Sequence, residues 1–304
     1  MAKRPPAFVI EPPSRAGSQH GRLTTPAEGR SFVSNNCLKT REAPVAYKPF
    51  DLTGKVALVT GGNGGIGFGM VEAMAQAGAD IVIWGSNAGK NADAAEKLKA
   101  TGVRVLTQQV DVADEEAVRA GMAEAVAKMG RVDTVVANAG IGGGAKSFAE
   151  FPTDTYRKVL SVNLDGVFFT FREACKHMVE RAGQGDHGGS LVAISSLSAL
   201  DGAARNEAYA ATKGALIPMI RAIAVEHARY GVRANCILPG WIATDMTAGA
   251  QDNDKFNDNV IKRVPMRRWG KPADFGGMAV YFASDASAFH TGDSVLIDGG
   301  YAIF

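Results

Sequence analysis

The sequence predicts a doubly wound α/β fold, a parallel sheet covered by helices on both faces, in a single domain spanning residues 51–304. Three observations predict it. From residue 51 onward, short apolar runs of strand length alternate with longer amphipathic stretches. The runs lack the in/out alternation of a half-exposed strand, as expected where both faces are buried. No second shift in composition interrupts that part of the chain.

In order, Lys-Val-Ala-Leu-Val-Thr at 55–60 reads as the first buried strand, ended at once by glycines, with a helical pattern over 67–77. Asp-Ile-Val-Ile-Trp at 80–84 is the second strand and 104–109 the third, followed by a helix over 114–128. A fourth strand at 133–137 precedes a long helix over 155–181, and a fifth at 190–195 precedes a helix over 209–230. Strands at 232–238 and 294–297 flank a helix over 272–283. Right-handed crossovers between such βα units put helices on both sides of the sheet. The polar stretch 241–265, with its Asp/Asn cluster at 252–258, reads as a mobile flap over the pocket.

Composition narrows the class. Hydrophobic content of 46% and charged content of 21% are those of a soluble globular protein. No apolar run reaches the length needed to span a bilayer, so no membrane association is expected. Cys37, Cys175 and Cys236 are widely spaced, which argues against a disulfide framework or structural zinc and fits a reducing cytoplasm. Cys236, in the apolar run Asn-Cys-Ile-Leu, reads as a buried thiol. His20, His177, His187, His227 and His290 share no metal-like spacing, and there is no Gly-x-Ser-x-Gly elbow for a hydrolase nucleophile.

Residues 1–50 differ from the rest. They hold eight Lys or Arg against three Glu, 8 − 3 = +5 of a net +2, and seven of the twelve prolines. Composition therefore ranks a disordered extension first, an arm on a neighbouring subunit second and a targeting segment third. Its dispersed basic residues, without interleaved aromatics, do not make a nucleic-acid surface. Deleting residues 1–48 is expected to leave activity intact.

Gly61-x-x-x-Gly65-x-Gly67, between a strand and a helix, lets the backbone turn tightly and approach a dinucleotide diphosphate at the helix N-terminus. Tyr209 and Lys213 lie one helical turn apart on one face, and Ser196 is thirteen residues upstream of Tyr209. Taken singly, each has a structural explanation: a helix pair, a strand-end hydrogen bonder, an ordinary loop. Taken in this order, they point to hydride transfer on an alcohol or carbonyl.

With these residues, residues 51–304 resemble the short-chain dehydrogenase/reductase family, a Rossmann-like fold. Thr60-Gly61-x-Asn63-x-Gly65-Ile66-Gly67 is similar to its cofactor loop and Asn138-Ala139-Gly140 to its Asn-Ala-Gly segment. The resemblance implies adenine contacts at Asp111 and Val112. It implies carboxamide contacts at Ile242 and Thr244 after Pro239-Gly240. It makes Tyr209 the general acid/base, Lys213 the group that lowers its pKa and binds the ribose, and Ser196 the residue orienting the substrate oxygen. Asn163 then supports a water leading to the lysine. The competing classes are a catalytically silent cofactor-sensing protein of the same fold and a nucleic-acid-associated protein.

The second strand ends Trp84-Gly85-Ser86-Asn87, without the carboxylate that binds both ribose hydroxyls of NAD. That favours NADP, with Ser86, Asn87 and Lys90 as donors to a 2′-phosphate, and an acid placed at Gly85 should favour NAD. Related carrier-protein-dependent 3-oxoacyl reductases carry two surface arginines; the matching positions here are His187 and Tyr230, with Arg229 one residue away. Trp241, Leu197, Leu200 and Ile141 suggest a partly apolar substrate pocket, with Ser198, Asp201 and Asn206 available to hydroxyls. Family members commonly pair their long helices across two-fold axes, which implies a homotetramer with residues 301–304 near a boundary.

Overall fold

A computed structural model describes residues 47–304. The readings made for the extension, and Cys37, lie outside the described residues apart from its last four positions. Lys48–Phe50 form one 3₁₀ turn, and the Phe50 ring packs 6.4 Å from that of Tyr281, so ordered structure begins ahead of residue 51.

Seven parallel strands form one sheet: β1 Val56–Thr60, β2 Asp80–Trp84, β3 Val105–Gln108, β4 Thr134–Ala137, β5 Gly189–Ile194, β6 Val232–Pro239 and β7 Ser294–Ile297. Their order is β3-β2-β1-β4-β5-β6-β7, so the chain reverses its direction of growth between β1 and β4. Every strand predicted from sequence is present, with ends moved by a residue or so. The expectation of burial on both faces holds in the interior of the sheet. Val56 and Leu58 of β1 pack with Val82 and Trp84 of β2 in one core. Ala57 and Val59 pack with Ile81 and Ile83 in the other.

The helices are α1 Gly65–Gln76, α2 Ala88–Leu98, α3 Glu115–Met129, α4 Thr153–Leu160, α5 Gly166–Gly183, α6 Ser198–Asp201, α7 Glu207–His227, α8 Ala248–Gln251, α9 Asp254–Arg263 and α10 Gly276–Ala283. Residues of α3, α5 and α7 fill the first core and those of α1, α2 and α10 the second. Asp114 caps α3 by accepting from the backbone N–H groups of Glu116 and Ala117, and Asn87 caps α2 through Lys90 N.

Three expectations change. The helix expected over 155–181 is divided by a π-turn at Ser161–Asp165, which carries Asn163. The polar stretch 241–265 is folded rather than irregular: it holds α8 and α9, and Trp241 packs edge-on against Phe256 and Trp269. Finally, Glu207–Tyr230 is by length and composition apolar enough to cross a membrane. Its sheet-facing side, however, packs Leu216 and Ile220 into the first core, and Lys213 is buried on the same helix.

Candidate active site

The strand-order reversal opens a crevice at the carboxyl ends of β1 and β4, where neighbouring loops leave in opposite directions. Hydrogen bonds stitch that end together. Thr60 Oγ1 accepts from the N–H groups of Asn138 and Ala139 at 3.0 and 2.9 Å. Asn138 Nδ2 donates to the Thr60 and Gly61 carbonyls at 3.0 and 3.2 Å. Asn138 thus holds the glycine loop against the end of β4.

The loop's glycines have separate causes. Gly61 and Gly65 lie in the left-handed region, at φ 62° and 50°. At Gly67 a Cβ would come 2.3 Å from the Gly61 carbonyl oxygen and 2.5 Å from Asn138 Nδ2. Gly64, the N-cap of α1, offers no side-chain cap, and the first turn has no acidic residue. The first-turn N–H groups of α1 thus face the cleft without a side-chain partner, as a diphosphate requires.

On the other bank, α7 is tied to β5. Ser195 Oγ donates to the Lys213 carbonyl, and Lys213 Nζ donates to the Ile194 carbonyl, each at 2.7 Å. Lys213 Nζ lies 5.6 Å from the Tyr209 ring centroid. Asn163, fully buried, accepts from Ile141 N at 2.8 Å and donates to Ile141 O at 2.9 Å, fixing the loop after β4. A Cβ at Gly140 would stand 3.3 Å from Asn163 Oδ1 and 3.4 Å from Lys213 Nζ, so glycine there lets both reach the end of β4. Ser196 Oγ accepts from Ser198 N at 3.1 Å.

These two banks enclose a cleft of about 320 Å³. Its lining includes Gly61, Asn63, Gly65, Ile66, Asn138, Ala139, Gly140, Ser196, Tyr209, Lys213, Pro239, Gly240, Ile242 and Thr244. A separate cavity of about 400 Å³ lies at the amino end of the sheet. Most of its charges pair among themselves, as Lys55–Asp285, Arg131–Asp133 and Arg181–Asp186, while Arg233 donates to Ser287 and the Phe282 carbonyl.

Not every expected residue reaches the cleft. Ser86 and Asn87 are exposed on its rim at the end of β2, and Asn87 is used as the α2 cap. Asp111 accepts from Ala113 N, and Val112 is buried against Gly166. An acid at Gly85 would have to displace the Asn63–Asn91 pair: a Cβ there would meet Asn63 Nδ2 at 2.2 Å and Asn91 Oδ1 at 2.3 Å. Exposed Ser86 can carry a carboxylate without that displacement. Of the residues expected around substrate, Asn206 is committed to Gly143 N and Trp241 to its aromatic neighbours, while Leu200 is exposed. Two contributors were not foreseen. Buried Asn91 joins Asn63 to the Gly85 and Gln108 carbonyls, and Asp245–Thr247 complete the cleft's lip. The only sequence signal for Asn91 was a polar residue on the inner face of a helix.

Burial displaces both ionisable groups at the chemical end. It raises the Tyr209 phenol above its ordinary 10, with the Ser196 hydroxyl pulling it back, and it lowers the Lys213 ammonium to about 8. The expected lowering of Tyr209 is thus opposed by desolvation.

A family described as enoyl-(acyl carrier protein) reductase, a short-chain dehydrogenase group, matches residues 61–302. The chain belongs to the short-chain dehydrogenase/reductase family. It is accordingly an oxidoreductase. Among relatives, the enzyme is 38% identical over 253 residues to 2-dehydro-3-deoxy-D-gluconate 5-dehydrogenase of Pseudoalteromonas atlantica, covering 83% of this chain and 97% of the relative. It is 35% identical over 250 residues to the L-rhamnose 1-dehydrogenase (NAD(P)(+)) of a Sphingomonas species, covering 82% and 96%. A gluconate 5-dehydrogenase from Burkholderia cenocepacia, solved with NADP and tartrate, superposes with a TM-score of 0.78 at 35% identity, covering 84% and 97%.

Proposed function

We propose that the enzyme transfers a hydride between NADP and a secondary alcohol or ketone of the sugar-acid or polyol class. The observation that carries this reading is the convergence of Ser196, Tyr209 and buried Lys213 on the bank facing the glycine loop. A nicotinamide cofactor held there would supply the hydride acceptor or donor for the carbinol carbon. The chain's own work is to move the hydroxyl proton. Tyr209 takes it in oxidation and gives it back in reduction, with Ser196 holding the substrate oxygen beside the phenol. Protonated Lys213 favours the phenolate and donates to the ribose hydroxyls, and Asn163 keeps the loop behind it in place. Gly61, Asn63, Gly65, Ile66 and Gly67 would hold the diphosphate, Asn138, Ala139 and Gly140 the ribose side, and Pro239, Gly240, Ile242 and Thr244 the carboxamide. Ser86, Asn87, Asp111 and Val112 would border the adenosine from the rim.

NADP is favoured over NAD by the absence of a carboxylate after β2 and by the cofactors of the relatives. Sugar-acid substrates are favoured by the names of the relatives. Carrier-bound acyl groups are disfavoured, because His187 and Tyr230 stand where two arginines would be expected, and Arg229 stacks on the Tyr230 ring at 4.8 Å. The described cysteines, Cys175 and Cys236, are free and buried, consistent with a cytoplasmic enzyme. Exposed apolar side chains on α5 and α7, among them Phe168 and Val225, favour a homotetramer, as do exposed Ile303 and Phe304.

The test is a panel of aldonic and 2-keto sugar acids, polyols and simple secondary alcohols, followed by nicotinamide absorbance with both cofactors. Turnover should concentrate on polyhydroxy substrates with NADP. Exclusive activity on acyl thioesters would overturn the substrate reading.

A further inference from the structure

One ion pair crosses the mouth of the cleft. Lys90, in the first turn of α2, places Nζ 2.9 Å from Oδ2 of Asp245, at the opposite lip. Both residues line the cleft that holds Gly61, Gly65 and Tyr209. They come from elements 155 residues apart in sequence. The lip is seated on the glycine loop: a Cβ at Gly65 would lie 3.4 Å from the Thr244 methyl. Lys90 is anchored from below, its backbone N donating to Asn87 Oδ1 at 2.9 Å.

In a doubly wound sheet the segment after β2 faces the adenosine ribose, and here that segment is Gly85 to Lys90. Gly85 brings no side chain, and Ser86 and Asn87 are uncharged. Lys90 is therefore the cation that this segment offers to a 2′-phosphate. A phosphate monoester carries about −1.5 to −2 charges near neutral pH and draws on the same ammonium that Asp245 engages. Free 2′- and 3′-hydroxyls make no such demand.

We propose that Asp245 is a cofactor-selectivity residue that competes with the 2′-phosphate for Lys90 and so narrows the preference for NADP over NAD. The inference rests on the reading of this cleft as a nicotinamide-dinucleotide site. Both partners are exposed, with 58% and 92% of their side-chain surface open, so the pair is weak enough for a phosphate to break. What remains after it breaks is repulsion between Asp245 and the phosphate, which acts on one cofactor and not the other.

The test is calorimetric titration of the full chain with NADP⁺ and with NAD⁺, for the wild type, Asp245→Asn, Lys90→Met and the double variant. Asp245→Asn should tighten NADP⁺ by about 3- to 10-fold and leave NAD⁺ within about 2-fold. Lys90→Met should weaken NADP⁺ by about 10-fold or more, and in its background the gain from Asp245→Asn should shrink. If Lys90→Met costs NADP⁺ affinity while Asp245→Asn changes neither cofactor, the competition is refuted and the cofactor reading stands. If Lys90→Met changes neither, Lys90 does not face the 2′ position and the inference fails at its first step. If neither nucleotide binds the wild type, the cofactor reading itself fails.

Discussion

Lys213 is 3% exposed, has no carboxylate within ion-pair range among the described residues and donates to the Ile194 carbonyl. Its fall from 10.5 to about 8 is a statement about stability. Below pH about 8 both folded and unfolded chains carry the proton, and the full penalty of burying the charge is present. Between about 8 and 10.5 the unfolded chain binds more protons than the folded one, so stability attributable to this residue rises with pH. Lys213→Met should therefore abolish turnover while stabilising the fold at pH 7, by roughly 2 kcal/mol after loss of the hydrogen bond to Ile194. A calorimetric scan should show Tm raised by about 5 °C, with the gap closing above pH 8. An unchanged or lower Tm would mean the charge is better solvated than its surroundings indicate. Tyr209→Phe keeps the ring and removes the proton donor. It should leave folding and cofactor affinity intact and lower kcat by about 10²–10⁴-fold, read from steady-state kinetics on the best substrate. Because Tyr209 must shed its proton to act as a base, wild-type alcohol oxidation should accelerate with rising pH and ketone reduction should slow.

Among elements, the glycine loop and the divided helix show what sequence reveals and what it withholds. Gly61, Gly65 and Gly67 were legible as a loop that only glycine could build, since their spacing falls between a strand and a helix. The structure adds why the third is required: its missing Cβ admits the Gly61 carbonyl and Asn138. Gly67→Ala should separate those groups, cost about 1–3 kcal/mol of stability and raise the cofactor KM well over 10-fold. Gly64→Ala is the matched control. Its Cβ meets nothing within 4 Å and its φ of −172° suits any residue, so urea unfolding should be unchanged. The π-turn around Asn163 was not legible, because the apolar pattern of residues 155–181 runs through it unbroken and one extra residue in a turn leaves no periodic mark. Nor was the lip at 245–247. Its polar composition resembles an irregular loop, and only the tertiary contacts of Thr244 with the glycine loop and of Asp245 with Lys90 give it a place in the cleft.

At the level of the whole molecule, a parallel sheet buried under helices on both faces was legible because period and burial are local signals, whereas the strand order and the subunit arrangement are not. The outer faces of α5 and α7 form an apolar groove that includes Phe168, Met219 and Ile223, with Val225 83% exposed nearby. Buried in a pairing of these helices, that surface would lose its contact with water. Sedimentation at micromolar concentration should therefore give a tetramer, and Val225→Glu should shift it towards smaller species. A wild-type monomer would contradict the assignment. The reversal between β1 and β4 has a further consequence. The glycine loop, Ser86 and Lys90 all belong to the half of the sheet built from β1 to β3, while Asn163, Ser196, Tyr209 and Lys213 belong to the half built from β4 to β7. The two halves meet at the β1–β4 ladder, whose carboxyl end Thr60 and Asn138 fasten with side-chain hydrogen bonds. That seam separates two inheritances, bridged at one point: the nucleotide's identity can drift mainly by changes on one side, with Asp245 reaching across from the other, where the alcohol's identity is set. A graft of residues 51–132 from a relative with the opposite cofactor habit should carry most of that habit across and leave the substrate unchanged, the remainder following only when position 245 is exchanged as well.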